Sequence, residues 1–296
     1  MKVVVFGGSG FLGSYVVEEL LKRDYEVVVA DVYKSEYIDE KIYKKVNILD
    51  LDNVKRIIDK NVDYVYNFAG MSNLDEAIHY PVKTFELNVI GNMNILEVCK
   101  EQNIKRFIYA SSAYALSKDG SFYGLSKQTS EKVIEEYQKR FNLDYTIIRY
   151  GSIYSERASH NNYIYNLIKK ALTEGILEYK GDGEDIREYI HAGDAAKLSV
   201  DIIESDEYKN SHIILTGIEK LKRKDLLVMI NEIFGNKLKI KNTEPEYFGH
   251  YKITPYSYQH PTPAKKLIAN PYIDMGQGLL ECIKTIENEK WRMENE

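Results

Sequence analysis

The chain has 296 residues, 44% hydrophobic and 29% charged, a globular balance at a length suited to a nucleotide-binding domain plus a smaller lobe. A formal net charge of −5 excludes general attraction to nucleic acid, which needs clustered excess cations to displace counterions. No stretch reaches the roughly 20 apolar residues of a membrane span, and the N-terminal apolar run meets glycine too soon for a signal-peptide core, so a cytoplasmic protein without membrane or nucleic-acid partners is expected.

In chain order, residues 3–6 read as a strand, 14–23 as a helix, 26–30 as a strand, 52–59 as a helix and 64–68 as a strand. Residues 85–101 follow as a helix, 107–110 as a strand, 123–141 as a helix and 145–149 as a strand. Short apolar strands separated by amphipathic stretches imply right-handed crossovers and a parallel sheet, hence an α/β, doubly wound domain. Beyond residue 155 the pattern loosens into a polar stretch (155–162), a helix (163–173), a turn at Gly181-Asp182-Gly183, a helix (194–203), a strand (212–216), a helix (224–234) and a proline-containing loop (243–263). The expected organisation is a dinucleotide-binding domain over 1–154, with parts of 188–216 returning to it, and a smaller C-terminal substrate-binding lobe made mainly of 155–296. Cys99 and Cys282 sit in apolar helical contexts and are expected to be buried structural thiols. The six histidines show no metal-ligand spacing, so no metal is expected.

Directly after the first strand comes Gly7-Gly8-Ser9-Gly10-Phe11-Leu12-Gly13. Glycines at 7, 10 and 13 permit a tight turn, let backbone N–H groups approach a pyrophosphate, and allow the following helix to pack on the strand with its N-terminus facing the anion. A glycine triplet is weak alone, but here it follows a strand, opens a helix and is followed by Asp31 at the end of the second strand. That carboxylate would accept hydrogen bonds from the adenosine ribose and repel a 2′-phosphate, which favours NAD over NADP; the plainer reading makes it a strand-end turn residue. Asn47 and Ile48 would flank the adenine, and Phe68, Ala69 and Gly70 close the fourth strand where the cofactor would lie.

Tyr123 and Lys127 stand four apart at the start of a helix, which places them on one face. A phenol is a poor base at neutral pH, but a nearby ammonium and a positive nicotinamide favour the phenolate and make Tyr123 a usable acid and base. With 25 tyrosines such a pair arises by chance. The strand ending in Ser111-Ser112 just upstream makes the arrangement far more specific.

On these motifs the chain resembles the extended short-chain dehydrogenase/reductase family, the nucleotide-sugar epimerases and dehydratases. The resemblance extends to Asn88-Val89-Ile90-Gly91 opening a helix, Arg149-Tyr150-Gly151-Ser152-Ile153-Tyr154, and the run from Gly181 through Arg187-Glu188-Tyr189-Ile190-His191 to Asp194. It implies a Rossmann-type fold, NAD as cofactor and a nucleotide-sugar substrate. It implies Tyr123 as acid/base, Lys127 holding the nicotinamide ribose, Ser112 rather than Ser111 as the assisting hydroxyl, and cofactor contacts at Phe11, Leu12 and Asn88. It further implies substrate contacts at Ser72, Ser112, Ser152 and Arg187, and a homodimer through the helices near Asn88 and Tyr123. Arg187 would bind the diphosphate with its planar fork, the alternative being a surface salt bridge with Glu184 or Glu188.

In this family dehydratases resemble one another in a Thr-Asp-Glu at the hydroxyl position, and decarboxylases carry a glutamate in that loop; here the run is Ser112-Ala113-Tyr114. An epimerase needs only Ser, Tyr and Lys, so C4 epimerisation through a 4-keto sugar is the first expectation. A nucleotide-sugar dehydrogenase or reductase of the same family, and a non-catalytic dinucleotide-binding regulator, are the alternatives. Ala115-Leu116-Ser117, Gly151-Ser152 and Tyr154-Ser155-Glu156 depart from the family's usual residues near the expected sugar pocket, which leaves the sugar open.

Overall fold

The computed structural model describes residues 1–159, 162–243, 250–255 and 264–295. In chain order they form β1 (Lys2–Phe6), α1 (Phe11–Lys22), β2 (Glu26–Asp31), β3 (Tyr43–Lys45), α2 (Leu51–Lys55), β4 (Val62–Asn67), α3 (Leu74–His79), α4 (Pro81–Phe85), a π-helical turn (Glu86–Gly91), α5 (Asn92–Gln102) and β5 (Arg106–Ser112). A 3-10 turn (Ala113–Leu116) leads to α6 (Ser121–Phe141), β6 (Tyr145–Tyr150), β7 (Ser152–Tyr154), α7 (Tyr163–Glu174), β8 (Ile176–Tyr179), β9 (Ile186–Arg187), β10 (Tyr189–His191) and α8 (Ala192–Asp201). The remainder is β11 (Ser211–Leu215), β12 (Leu221–Lys222), α9 (Arg223–Ile233), β13 (Lys239–Asn242), β14 (Ala264–Leu267) and α10 (Met275–Asn295).

The first compact unit comprises Met1–Tyr150, Ala196–Leu215 and Pro255–Leu267. Its sheet runs β14-β11-β6-β5-β4-β1-β2-β3 with every pairing parallel. This is the doubly wound Rossmann-type arrangement, and the winding reverses between β1 and β4, where such sheets bind ligands at their C-terminal edge. Parallel strands covered on both faces need continuous apolar runs. Val3 to Phe6 and all of β6 are accordingly buried. Val4, Phe6, Val65, Phe107 and Ile147 from the strands pack with Ile95, Leu96 and Cys99 of α5 and Ile134 of α6. The last two helices end on asparagines in the left-handed region, Asn103 (φ 54°) and Asn142 (φ 56°), which tolerate that conformation better than most residues.

Several elements differ from the sequence reading. The helix read from residue 85 begins at Pro81, whose missing N–H suits a first helical position, and it is interrupted by the π turn. Asn88-Val89-Ile90-Gly91 therefore lies inside a helical run and does not open one. Helix α2 stops at Lys55. Strand β5 begins one residue earlier than read, at Arg106, and ends in Ser111-Ser112 as the sequence indicates. Ala264–Leu267, in the stretch read as the second lobe, adds a parallel strand beside β11 in the first unit's sheet.

The second unit comprises Gly151–Ala195, Thr216–Thr254 and Ile268–Glu296. It contains three two-stranded pairings, β7 with β10, β8 with β13 and β9 with β12. Its core joins Leu167 and Ile168 of α7, Leu177 of β8, Leu226 and Ile230 of α9, and Leu279, Cys282 and Ile286 of α10. Asn162 caps α7 by accepting the N–H groups of Ile164 and Tyr165, and Gly175 ends it at φ 69°. Gly181 (φ 78°) and Gly183 (φ 72°) form the turn read from sequence. Of the stretch read as loop, 244–249 and 256–263 lie outside the described residues, and the described part carries one bridge, Ile253 to Ile186. Among the described residues no helix is long and apolar enough to cross a membrane.

Candidate active site

The glycine turn leaves β1 with Gly7 at φ 73°, its N–H donated to the Ala30 carbonyl at 2.9 Å. A Cβ at Gly7 would stand 2.5 Å from the Ala69 backbone nitrogen, and one at Gly13 would stand 2.2 Å from the Gly7 oxygen. The turn is therefore closed to side chains at both positions. Gly10 precedes α1 without a side-chain cap, so no capping side chain takes up the first N–H groups of the helix, those of Phe11, Leu12 and Gly13. Asp31 ends β2 and is buried, its carboxylate accepting the N–H of Ser9 at 3.0 Å and of Val32 at 2.7 Å. Burial raises its pKa above the ordinary carboxylate value, opposed by those backbone bonds. A turn closed to side chains, an uncapped helix start and a carboxylate at the next strand end fit the pyrophosphate and ribose of NAD.

Ile48 is buried against Gly91, where a Cβ would meet its side chain at 2.5 Å, while Asn47 is exposed and accepts the Leu49 N–H. Phe68 and Ala69 are half-buried and Gly70 is exposed at φ 145°. Asn88 is fully engaged within the protein. Its Oδ1 accepts the Met71 N–H at 2.7 Å, and its Nδ2 donates to the Met71 carbonyl at 3.1 Å and to Ser126 Oγ at 2.8 Å. It ties the loop after β4 to α6, and those tertiary bonds accompany the π turn.

At the end of β5 the two serines diverge. Ser111 Oγ donates to Glu131 Oε1 at 2.6 Å, whereas Ser112 Oγ accepts the Tyr114 N–H at 3.2 Å and caps the 3-10 turn. Close approach of that turn to α6 requires glycine on the helix: a Cβ at Gly120 or Gly124 would lie 2.7 or 2.6 Å from the Tyr114 carbonyl oxygen. Tyr123 is buried with Met71, Leu74 and Ala77, and the Tyr114 ring meets it edge-on at 6.1 Å. Lys127 is buried and donates to the Ala110 carbonyl at 2.9 Å, with Nζ 4.9 Å from the Tyr109 ring centre and 5.9 Å from that of Tyr123. Burial lowers the Lys127 pKa to about 8, and Glu131 one turn along acts in the opposite direction.

Ser112, Tyr123, Lys127, the glycine turn and Asp31 thus all belong to the first unit, at or just beyond the C-terminal ends of its strands. Ser72 is exposed in the loop between β4 and α3. Ser152 and Arg187 belong to the second unit. Ser152 opens β7 opposite Tyr189, and Arg187 is buried with its guanidinium over the Tyr251 ring at 4.3 Å. Glu184 pairs with Lys222 and Lys224, and Glu188 accepts the Thr216 hydroxyl. Sequence reasoning did not reach Tyr109 or Glu131. The signals were there, an aromatic two residues before Ser111 and an acid four after Lys127, but each reads as an ordinary core or surface position.

Also in the second unit, Glu156, His191 and Glu281 place potential ligand atoms within 4.8 Å of one another. The Gly193 N–H donates to His191 Nδ1 at 3.2 Å, which assigns the ring proton to Nε2, 3.4 Å from Glu156 and 4.0 Å from Glu281. Cys99 and Cys282 are free and buried; burial raises both thiol pKa values, that of Cys282 to about 12.

Residues 3–217 match the family model described as "NAD dependent epimerase/dehydratase family". A curated relative from Methanocaldococcus jannaschii, named as a putative UDP-glucose 4-epimerase, is 26% identical over 97% of this chain and 98% of its own length. Among solved structures, the fold is shared with a UDP-glucose 4-epimerase from Thermotoga maritima (TM-score 0.84, 21% identity, 99% and 100% of the two chains). It is likewise shared with a UDP-glucuronic acid 4-epimerase from Bacillus cereus solved with UDP-glucuronic acid and NAD (TM-score 0.84, 22% identity, 98% and 100%). With its strand order, its glycine turn and a family match over most of its length, the chain belongs to the NAD-dependent epimerase/dehydratase family.

Proposed function

We propose that this chain is a nucleotide-sugar 4-epimerase that works through a transient 4-keto sugar, with Tyr123 as acid and base. The observation that carries this reading is the turn after Ser112, where Ala113, Tyr114, Ala115 and Leu116 provide no carboxylate. Loss of water or of carbon dioxide calls for a further acid or base beside the tyrosine, whereas inversion at C4 does not. The 4-epimerase names of the relatives agree with this choice.

When bound, NAD would supply the hydride acceptor and donor for C4. The turn at Gly7, Gly10 and Gly13 with the N–H groups of Phe11 and Leu12 would hold its pyrophosphate, Asp31 its adenosine ribose, and Asn47 and Ile48 its adenine, with Phe68, Ala69, Gly70 and Asn88 bordering the site. Tyr123 takes the C4 hydroxyl proton and returns it after the sugar has presented its other face. The Lys127 ammonium, held beside the tyrosine, favours the phenolate and would bind the nicotinamide ribose. Ser112 uses a lone pair for the Tyr114 N–H and keeps its own proton to donate to the sugar oxygen. Ser72 and Ser152 would contact the sugar, and Arg187 the diphosphate. A second copy of the chain would cover Ile90 of the π turn and Phe122 and Leu125 of α6, all exposed, and sedimentation at the mass of one chain would exclude it.

The test is to denature the purified protein, identify the released nucleotide, and incubate the native protein with UDP-, GDP-, CDP- and dTDP-sugars under NMR. The expected result is NAD and an interconverted pair of C4 epimers, with Tyr123→Phe retaining NAD but turning over about 10²–10⁴-fold more slowly. Stoichiometric consumption of NADP, or full activity in Tyr123→Phe, would sink the reading.

A further inference from the structure

Lys127 carries its charge into the interior with an unusual set of neighbours. Among the described residues no carboxylate pairs with its Nζ, whose hydrogen bond goes to the Ala110 carbonyl. The groups facing it are Tyr123 and Glu131 on its own helix and Tyr109 on β5. Glu131 favours the Lys127 cation from one turn along, but its two oxygens are bonded to Arg149 at 2.7 and 2.9 Å, and it makes no ion pair with the lysine. The nearest π face is that of Tyr109, with its centre 4.9 Å from Nζ, inside the range at which a ring attracts a cation. That ring is fixed: it is 1% exposed and stacked on Phe107 at 6.4 Å.

We propose that Tyr109 is a positioning residue whose ring forms the floor beneath Lys127, holding the ammonium charged and aimed at the cofactor ribose. The inference rests on the reading above that Lys127 serves the cofactor. It assigns a role to a strand residue that touches neither substrate nor cofactor and acts only through the lysine. Tyr109→Phe keeps the face; Tyr109→Leu removes it; a trifluorinated phenylalanine at this position keeps shape and burial while draining the negative charge from the face.

The experiment is a pH titration of the Lys127 side chain, followed by its ¹³Cε NMR signal in lysine-labelled protein and assigned by the signal's loss in Lys127→Met. Affinity for NAD is measured over the same pH range on protein stripped of nucleotide. The midpoint is expected near 8 in the native protein and in Tyr109→Phe, and about one pH unit lower in Tyr109→Leu and in the fluorinated variant, because loss of the face disfavours the cation. NAD affinity should fall through the same midpoints. If the fluorinated variant titrates with Tyr109→Phe, the floor plays no part and the inference is overturned; that comparison keeps an aromatic ring of nearly the same size in place and so survives a Tyr109→Leu that does not fold. If Lys127→Met binds NAD as the native protein does at every pH, the placing of Lys127 at the cofactor fails instead, whatever the ring does.

Discussion

Lys127 and Arg149 are two buried cations of the same unit, and their surroundings differ in kind. Arg149, with no exposed side-chain surface, is held by Glu131 through Nε at 2.9 Å and Nη2 at 2.7 Å. Glu131 also accepts the Ser111 hydroxyl, and His212 stands 3.8 Å from it while its Nε2 donates to Glu135 at 3.0 Å. Lys127 has a carbonyl and aromatic faces. A bidentate carboxylate neutralises the Arg149 charge through Nε and Nη2, leaving only Nη1 without a hydrogen bond, and ties α6 to β5 and β6. The lysine is left incompletely paired, and an incompletely paired buried charge is free to act on what binds beside it. One helix therefore carries a structural charge pair and a poised cation a single turn apart.

Glu131→Gln should have the largest effect, because it leaves the Arg149 charge buried without its counterion, a change that typically costs about 3–5 kcal/mol. Urea unfolding at pH 7 measures it, and a loss under 1 kcal/mol would dissolve the distinction between the two cations. Lys127→Met should act with the opposite sign. The folded pKa near 8 lies below the ordinary 10.5, so the folded protein holds the ammonium below pH 8 at a cost of up to about 3 kcal/mol. Between pH 8 and 10.5 the unfolded chain binds the proton and the folded one does not, so native stability rises across that window. The variant should therefore be more stable than the native protein at pH 7, with the gain shrinking towards pH 10, while NAD binding is lost. Melting curves at the two pH values check the sign, and destabilisation at pH 7 would break the comparison. Ser111→Ala should be the mildest, about 1–2 kcal/mol for one hydrogen bond to a carboxylate that keeps its arginine, with NAD affinity unchanged within about twofold by calorimetry.

The parts of the fold legible in the sequence are those whose pattern is local. Val3-Val4-Val5-Phe6 and Tyr145 to Arg149 read as strands because both their faces are covered, and Tyr123 with Lys127 share a face because a helix brings positions four apart together. Strand β14 was not legible: Ala264-Lys265-Lys266-Leu267 is half polar, and only pairing with β11, about fifty residues earlier, makes it a strand. The π turn escaped for a similar reason. Glu86-Leu87-Asn88-Val89-Ile90-Gly91 has ordinary helical character, and the departure goes with bonds from Asn88 to Met71 and Ser126 that no local pattern encodes. Glu131 reads as a solvated helix position until Arg149 is seen to bury it. Of the candidate site, the glycine turn and Asp31 stand out in the sequence through their order along the chain; what distinguishes Ser112 from Ser111 is not local, since Glu131, twenty residues on, accepts the Ser111 hydroxyl while Ser112 caps the turn that follows.

The first unit's sheet is assembled from three separated stretches of chain, and this has a consequence for biosynthesis. When residues 1–150 have left the ribosome, β1 to β6 are all available, but the outer edge of the wholly buried β6 has no neighbour until Ser211–Leu215 emerges, and that strand in turn waits for Ala264–Leu267. An apolar strand edge thus stays open for the time taken to translate about sixty residues, several seconds at bacterial or eukaryotic rates. Nascent chains stalled between residues 150 and 210 are where chaperone capture and aggregation should concentrate, and a stop introduced before residue 211 should yield insoluble product even though every residue of the glycine turn, Tyr123 and Lys127 has been made.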